Sequence, residues 1–164
     1  MLRHLLQTEQ SYAILALRLV LATVIFPQGA QKLLGWYGGF GLDGTLQFFA
    51  SIGVPAVLGL LVIASDFFGS LALALGLGGR PAAFGTAAVM LGAMVLVHGQ
   101  YGFFINWYGA QQGEGIQFHL LATAAAVVVM AKGSGAWSID RLLVRRSGGA
   151  ATSALPGPRA LRAA

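Results

Sequence analysis

The sequence predicts an all-α integral membrane protein, a four-helix bundle flanked by short amphipathic terminal helices. Three observations predict it. The 164 residues are 57% hydrophobic and only 9% charged, with a mean hydropathy of +0.75, whereas a soluble domain carries roughly a quarter charged residues. Four windows are apolar over about the 20 residues a helix needs to cross a bilayer core about 30 Å thick. The cations are distributed unequally between the loops that separate those windows.

The windows run from Ser11 to Leu34, Val54 to Leu77, Pro81 to Gly99 and Ile116 to Ala131, the fourth being the shortest. Pro55 and Pro81 fall in first turns, where a missing N–H costs nothing, and Gly78-Gly79 and Gly133 to Gly135 supply stops. Pro27 lies inside the first window, so a kink or an early end is expected there, freeing carbonyls near Thr23. The leading apolar stretch is not expected to be a cleaved signal peptide, because Arg18 interrupts it and no small-x-small cleavage site precedes Gln31.

These windows divide the chain into an interfacial segment over 1–10, the bundle over 11–135, a basic amphipathic helix over 136–146 and a disordered tail over 147–164. In "GSGAWSIDRLLVRR" Ser138 is the expected N-cap and Asp140 falls in the first turn. Leu142, Leu143 and Val144 can dip into the interface while the arginines meet anionic headgroups. "QKLLGWYGGFG" and "VHGQYGFFINWYG" each end a helix in a Gly/aromatic loop, which hints at a duplicated hairpin. Arg3, Arg80, Lys132, Arg141, Arg145 and Arg146 flank one side and Lys32 the other. Both termini are therefore expected in the cytoplasm of a multi-pass protein of the inner (plasma) membrane.

Composition excludes several chemistries. The chain has no cysteine, which removes disulfides, thiolate nucleophiles, iron–sulfur ligation and covalent haem attachment. The net charge of +5 gathers largely near the end of the chain, so it reads as topogenic and membrane-facing, with no nucleic-acid partner expected. No metal site is expected, because His98, His119 and Glu114 lack a short ligand spacing. Haem b ligated by the two histidines is disfavoured, since both lie at helix ends beside polar loops.

Charges inside the bilayer cost at least about 2.5–3.5 kcal/mol each. Arg18 in the first window and Asp66 in the second are expected to form a buried charge pair across antiparallel neighbours; whether that pair is structural or functional is left open. Gly59, Gly69 and Gly76 on the Asp66 stripe permit close approach of another helix. Arg18, Ala22, Ile25, Gly29 and Lys32 share one face of the first helix. His98 ends the third window and His119 begins the fourth. Gln28, Lys32, His98, Asn106, Trp107, Glu114 and His119 are thus expected to form a ligand-binding polar cluster at the outer mouth. Lys32, His98 and His119 should converge there, with Trp107 or Trp36 covering them.

In its order of features the sequence resembles the DoxX family of small four-helix membrane proteins. The resembling segments are "FPQGAQKLLGW" with "GGFG", "GVPAVLGLLVIASDFFGSLALALG", "VHGQYGFFINWYGAQQGEGIQFHLLA" and "GSGAWSIDRLL", covering about residues 13 to 144. The resemblance implies an inner-membrane protein often described as an oxidoreductase subunit; the family name comes from a component of a quinone-linked thiosulfate-oxidising system. It also implies an acid at Asp66, where the family usually has Glu, and a second Glu where this chain has Gln117. The expected function is a quinone-interacting or accessory subunit of a membrane redox complex, not a complete enzyme alone. Its partners would be the bilayer, a quinone, and a redox protein or further copies of the chain. The alternatives are a small-solute or proton-coupled transport component, or a membrane anchor or assembly factor without catalysis.

Overall fold

The computed structural model describes Leu6 and residues 8–152, and among them every regular element is helical. Helix α1 spans Tyr12–Leu34; the Ser11 hydroxyl accepts from the Ile14 N–H at 3.3 Å, and Gly35 (φ 72°) closes it in a left-handed turn. Helix α2 is Gly41–Ser51. Helix α3 runs Ala56–Leu75 after Pro55 and stops at Gly76 (φ 65°). Helix α4 is Gly79–Tyr101, α5 is Gln117–Lys132 and α6 is Ile139–Thr152.

Helices α1, α3 and α4 are 23, 20 and 23 residues long and apolar enough to cross a membrane; α5 has 16 residues and is a shorter apolar helix. At 1.5 Å per residue α5 covers about 24 Å, which reaches across the core only with help from its flanks. Val20, Val57, Leu61, Phe84, Val95 and Leu121 are exposed around the bundle, as a lipid-facing surface requires. The centre is built from small residues. Ala22, Ala83, Ala87, Ala122 and Ala126 are buried with Leu21, Ile25, Leu73, Met90 and Val129, so the helices approach closely where apolar burial alone gives little drive in lipid.

Several expectations are corrected. Pro27 neither ends nor breaks α1, which continues as helix to Leu34; a proline removes one backbone bond, and the close packing of Gly29, two residues on, holds the segment in place. The stretch between the first two windows, expected to begin as a Gly/aromatic loop, contains α2, fastened by the Thr45 hydroxyl donating to the Lys32 carbonyl at 3.2 Å. Helix α6 continues to Thr152, past the expected start of the tail at 147; residues 153–164 of that tail lie outside the described residues, as do 1–5 and 7 of the N-terminal segment.

Two helices contain a π-helical turn: Ser65–Gly69 in α3 and Met94–His98 in α4. Each inserts an extra residue into the 3.6-residue period and shifts the face presented thereafter. These turns position the site described next.

Candidate functional site

Asp66 and His98 both lie on π turns. Gly29 meets the first of them. A Cβ at Gly29 would come within 2.5 Å of the Asp66 carbonyl carbon and the Phe67 nitrogen, so only glycine lets α1 pack directly on that backbone. Lys32, three residues on and on the same face, then reaches across. Its Nζ donates to Asp66 Oδ2 at 2.6 Å, with Asp66 wholly buried and the Lys32 side chain 26% exposed.

The expected Arg18–Asp66 pair is therefore overturned. Arg18 precedes Gly29 by eleven residues, about 16 Å along the helix axis, beyond the reach of an arginine side chain. Antiparallel packing instead sets Arg18 against the C-terminal end of α3. One guanidinium nitrogen donates to the Leu73 carbonyl and, at 2.7 Å, to that of Ala74; the other donates to Ala136 and Trp137 at 3.5 and 3.3 Å. A buried cation on the last carbonyls of a helix is favoured by the helix dipole.

Where α4 ends and α5 begins, the rings of His98 and His119 lie 4.0 Å apart between centroids and 38° from parallel. His98 Nδ1 is 2.8 Å from the Glu114 carbonyl. A carbonyl only accepts, so that nitrogen carries the proton and Nε2 of the neutral ring is an acceptor. His119 is 6% exposed. Four buried polar atoms, Arg18 Nε, Ser65 Oγ, Asp66 Oδ1 and His119 Nδ1, have no hydrogen-bond partner among the described residues. Buried polar atoms are seldom left so.

The outer-mouth residues divide into two groups. His98 and His119 meet ring against ring, and Lys32 pairs with Asp66. Asn106 and Glu114 instead clasp the outer loop: the Asn106 N–H donates to Glu114 Oε2 at 2.7 Å, and its side chain exchanges hydrogen bonds of 2.9 and 3.0 Å with the Gln111 backbone. Gln117 Oε1 accepts from the Ile105 N–H at 3.4 Å, fixing the same loop. Gln28 is half-buried one turn before Lys32. Trp107 is 77% and Trp36 52% exposed, so the expected aromatic cover is absent from both positions.

A second buried carboxylate was expected only as a first-turn residue of α6. Asp140, 1% exposed, accepts from the Gly78 and Gly79 N–H groups at 2.7 and 3.1 Å and from the Ser134 hydroxyl at 2.6 Å. It thus caps the start of α4 from another element, while Ser138 Oγ caps α6 through the Arg141 N–H at 3.4 Å.

Comparison with known proteins agrees with the architecture. "Putative oxidoreductase CatD" of Bacillus subtilis (strain 168) is 30% identical over 83 residues, 51% of this chain and 58% of that protein, so the chain spans little more than half of its length. "Inner membrane protein YqjF" of Escherichia coli (strain K12) is 27% identical over 139 residues, 84% of this chain and 96% of that protein. No solved structure matches. The DoxX family model matches residues 13–99, which takes in Lys32, Asp66 and His98 and stops short of the outer loop and His119. Matching more than half of its residues, the chain belongs to the DoxX family of membrane proteins.

Proposed function

We propose that this chain is a quinone-interacting accessory subunit of a redox complex in the inner membrane, with both termini cytoplasmic. The observation that carries the reading is the Lys32–Asp66 ion pair beside the stacked His98–His119 pair, with orphaned buried atoms on Asp66 and His119. A quinone head offers carbonyl acceptors and, once reduced, hydroxyl donors. Lys32 Nζ and a His119 N–H suit the first; Asp66 Oδ1 suits the second. Reduction of a quinone to a quinol takes two electrons and two protons. The carboxylate and imidazoles can exchange the protons, and a partner protein supplies the electrons. The name of the Bacillus relative supports a redox setting, and that of the Escherichia relative supports the location. Haem b fits less well, because an iron held between two imidazoles would keep the rings on opposite sides of the metal, whereas these rings stack directly.

Extraction of the purified protein with organic solvent, followed by mass spectrometry, tests the reading. A near-stoichiometric isoprenoid quinone in the wild type, lost in His119→Phe while the protein stays folded, is the expected result; equal quinone in both refutes it. Proton-coupled transport is the second reading, favoured by the buried Asp66 on a π turn. It predicts proton uptake by proteoliposomes that Asp66→Asn abolishes, with no quinone bound.

A further inference from the structure

At the opposite end of the bundle lies a cavity of about 510 Å³ to which the proposed site gives no role. Among the described residues four cations line it, one from the start of α4 (Arg80), one from the end of α5 (Lys132) and two from α6 (Arg141 and Arg145). One carboxylate, Glu9, shares the lining and is held by Lys132 at 3.0 Å. Arg80 is oriented by donating to the Met130 carbonyl at 2.6 Å, and Arg141 by donating to the neutral Gln10 side chain. The cations therefore outnumber the carboxylate in a concave site whose walls also include Leu6 and Val144.

Lys132 ends the apolar helix α5 and Arg80 sits in the first turn of α4, and the end of an apolar helix is where lipid phosphates are met. Like charges gathered in one cavity repel, and an anion relieves that cost. The apolar wall suits a glycerol backbone and the first carbons of an acyl chain, which a free phosphate lacks. Anionic headgroups bind in basic pockets between crossing helices.

We infer that this cavity seats the phosphate of one anionic glycerophospholipid of the phosphatidylglycerol class, wedging α6 against the ends of α4 and α5. The seat is distinct from a diffuse attraction of basic residues to the membrane surface, because it takes one lipid and depends on two particular arginines.

The test is native mass spectrometry of the full chain in detergent, titrated with dioleoyl phosphatidylglycerol, dioleoyl phosphatidylcholine or inorganic phosphate. One phosphatidylglycerol is expected to bind at least tenfold more tightly than phosphatidylcholine, with inorganic phosphate failing to displace it at millimolar concentration. The Arg141→Gln/Arg145→Gln variant should lose that preference; Arg141→Lys/Arg145→Lys, which restores the charge, should recover most of it and reports on folding. Removing two charges elsewhere, in Arg159→Gln/Arg162→Gln, should leave it intact. Equal binding of the two lipids, equal losses in both glutamine variants, or full displacement by phosphate would each overturn the inference.

Discussion

At the scale of single residues, the pairing of Asp66 decides what the site can do. A carboxylate wholly buried on a crossing helix is stable as an ion only with a partner, and Lys32 is that partner at 2.6 Å. Lys32→Met is therefore expected to destabilise the protein by about 3 kcal/mol, the lower end for breaking a buried pair because Lys32 is partly exposed. Lys32→Met combined with Asp66→Leu should recover most of the loss, and unfolding in mixed micelles measures the cycle. Additive effects would show that the two side chains do not depend on each other. Gly29→Ala should cost about 1–3 kcal/mol, as overpacking does, because the methyl would meet backbone at 2.5 Å that cannot rotate aside; unchanged stability would contradict that packing. Both ionisable residues were legible in the sequence, but their pairing was not. Matching the charge along the sequence paired Asp66 with Arg18, whereas the register that brings Lys32 to it is set by Gly29 fitting the Asp66–Phe67 backbone.

At the scale of elements, hydropathy located α1, α3, α4 and the shorter α5 to within a few residues, since lipid demands long apolar windows whatever their internal geometry. It was silent on α2, whose eleven residues are too few for a crossing and are held partly by one Thr45 bond. The π turns were equally hidden, because one inserted residue leaves mean hydropathy unchanged while rotating Asp66 and His98 onto new faces. Helix ends depend on distant partners too. Asp140→Ala should strip α4 of its cap and strand the Gly78 and Gly79 N–H groups and the Ser134 hydroxyl, costing about 1–3 kcal/mol. The loss should appear as a lower thermal midpoint and faster amide exchange at the start of α4; exchange unchanged there would contradict the cap.

At the scale of the whole molecule, the bundle separates two polar ends. One holds Lys32, Asp66, His98 and His119, the other Arg18, Asp140 and the basic residues around α6. The excess of cations at the second end predicts that it faces the cytoplasm. A reporter fused after Ala164 should be active only if it works in the cytoplasm, and one inserted between Gly109 and Ala110 only outside; the reverse pattern would invert the bundle. The meeting of His98 and His119 was legible because topology puts the end of one helix and the start of the next at one end of the bundle. The loss of Asn106 and Glu114 to a loop clasp was not, because a polar loop satisfies its own backbone before it serves a ligand.

The central claim is that the polar groups at the outer end form one quinone-binding centre. It is tested most directly by titrating a water-soluble short-chain quinone into protein in nanodiscs and following quenching of tryptophan fluorescence. The wild type and the Lys32→Met/Asp66→Leu double variant, which removes the ion pair without leaving a lone charge, are compared directly. Saturable binding by the wild type, weakened at least tenfold in the folded double variant, is the predicted result. Equal affinity in both proteins, or no saturable binding in either, would contradict it.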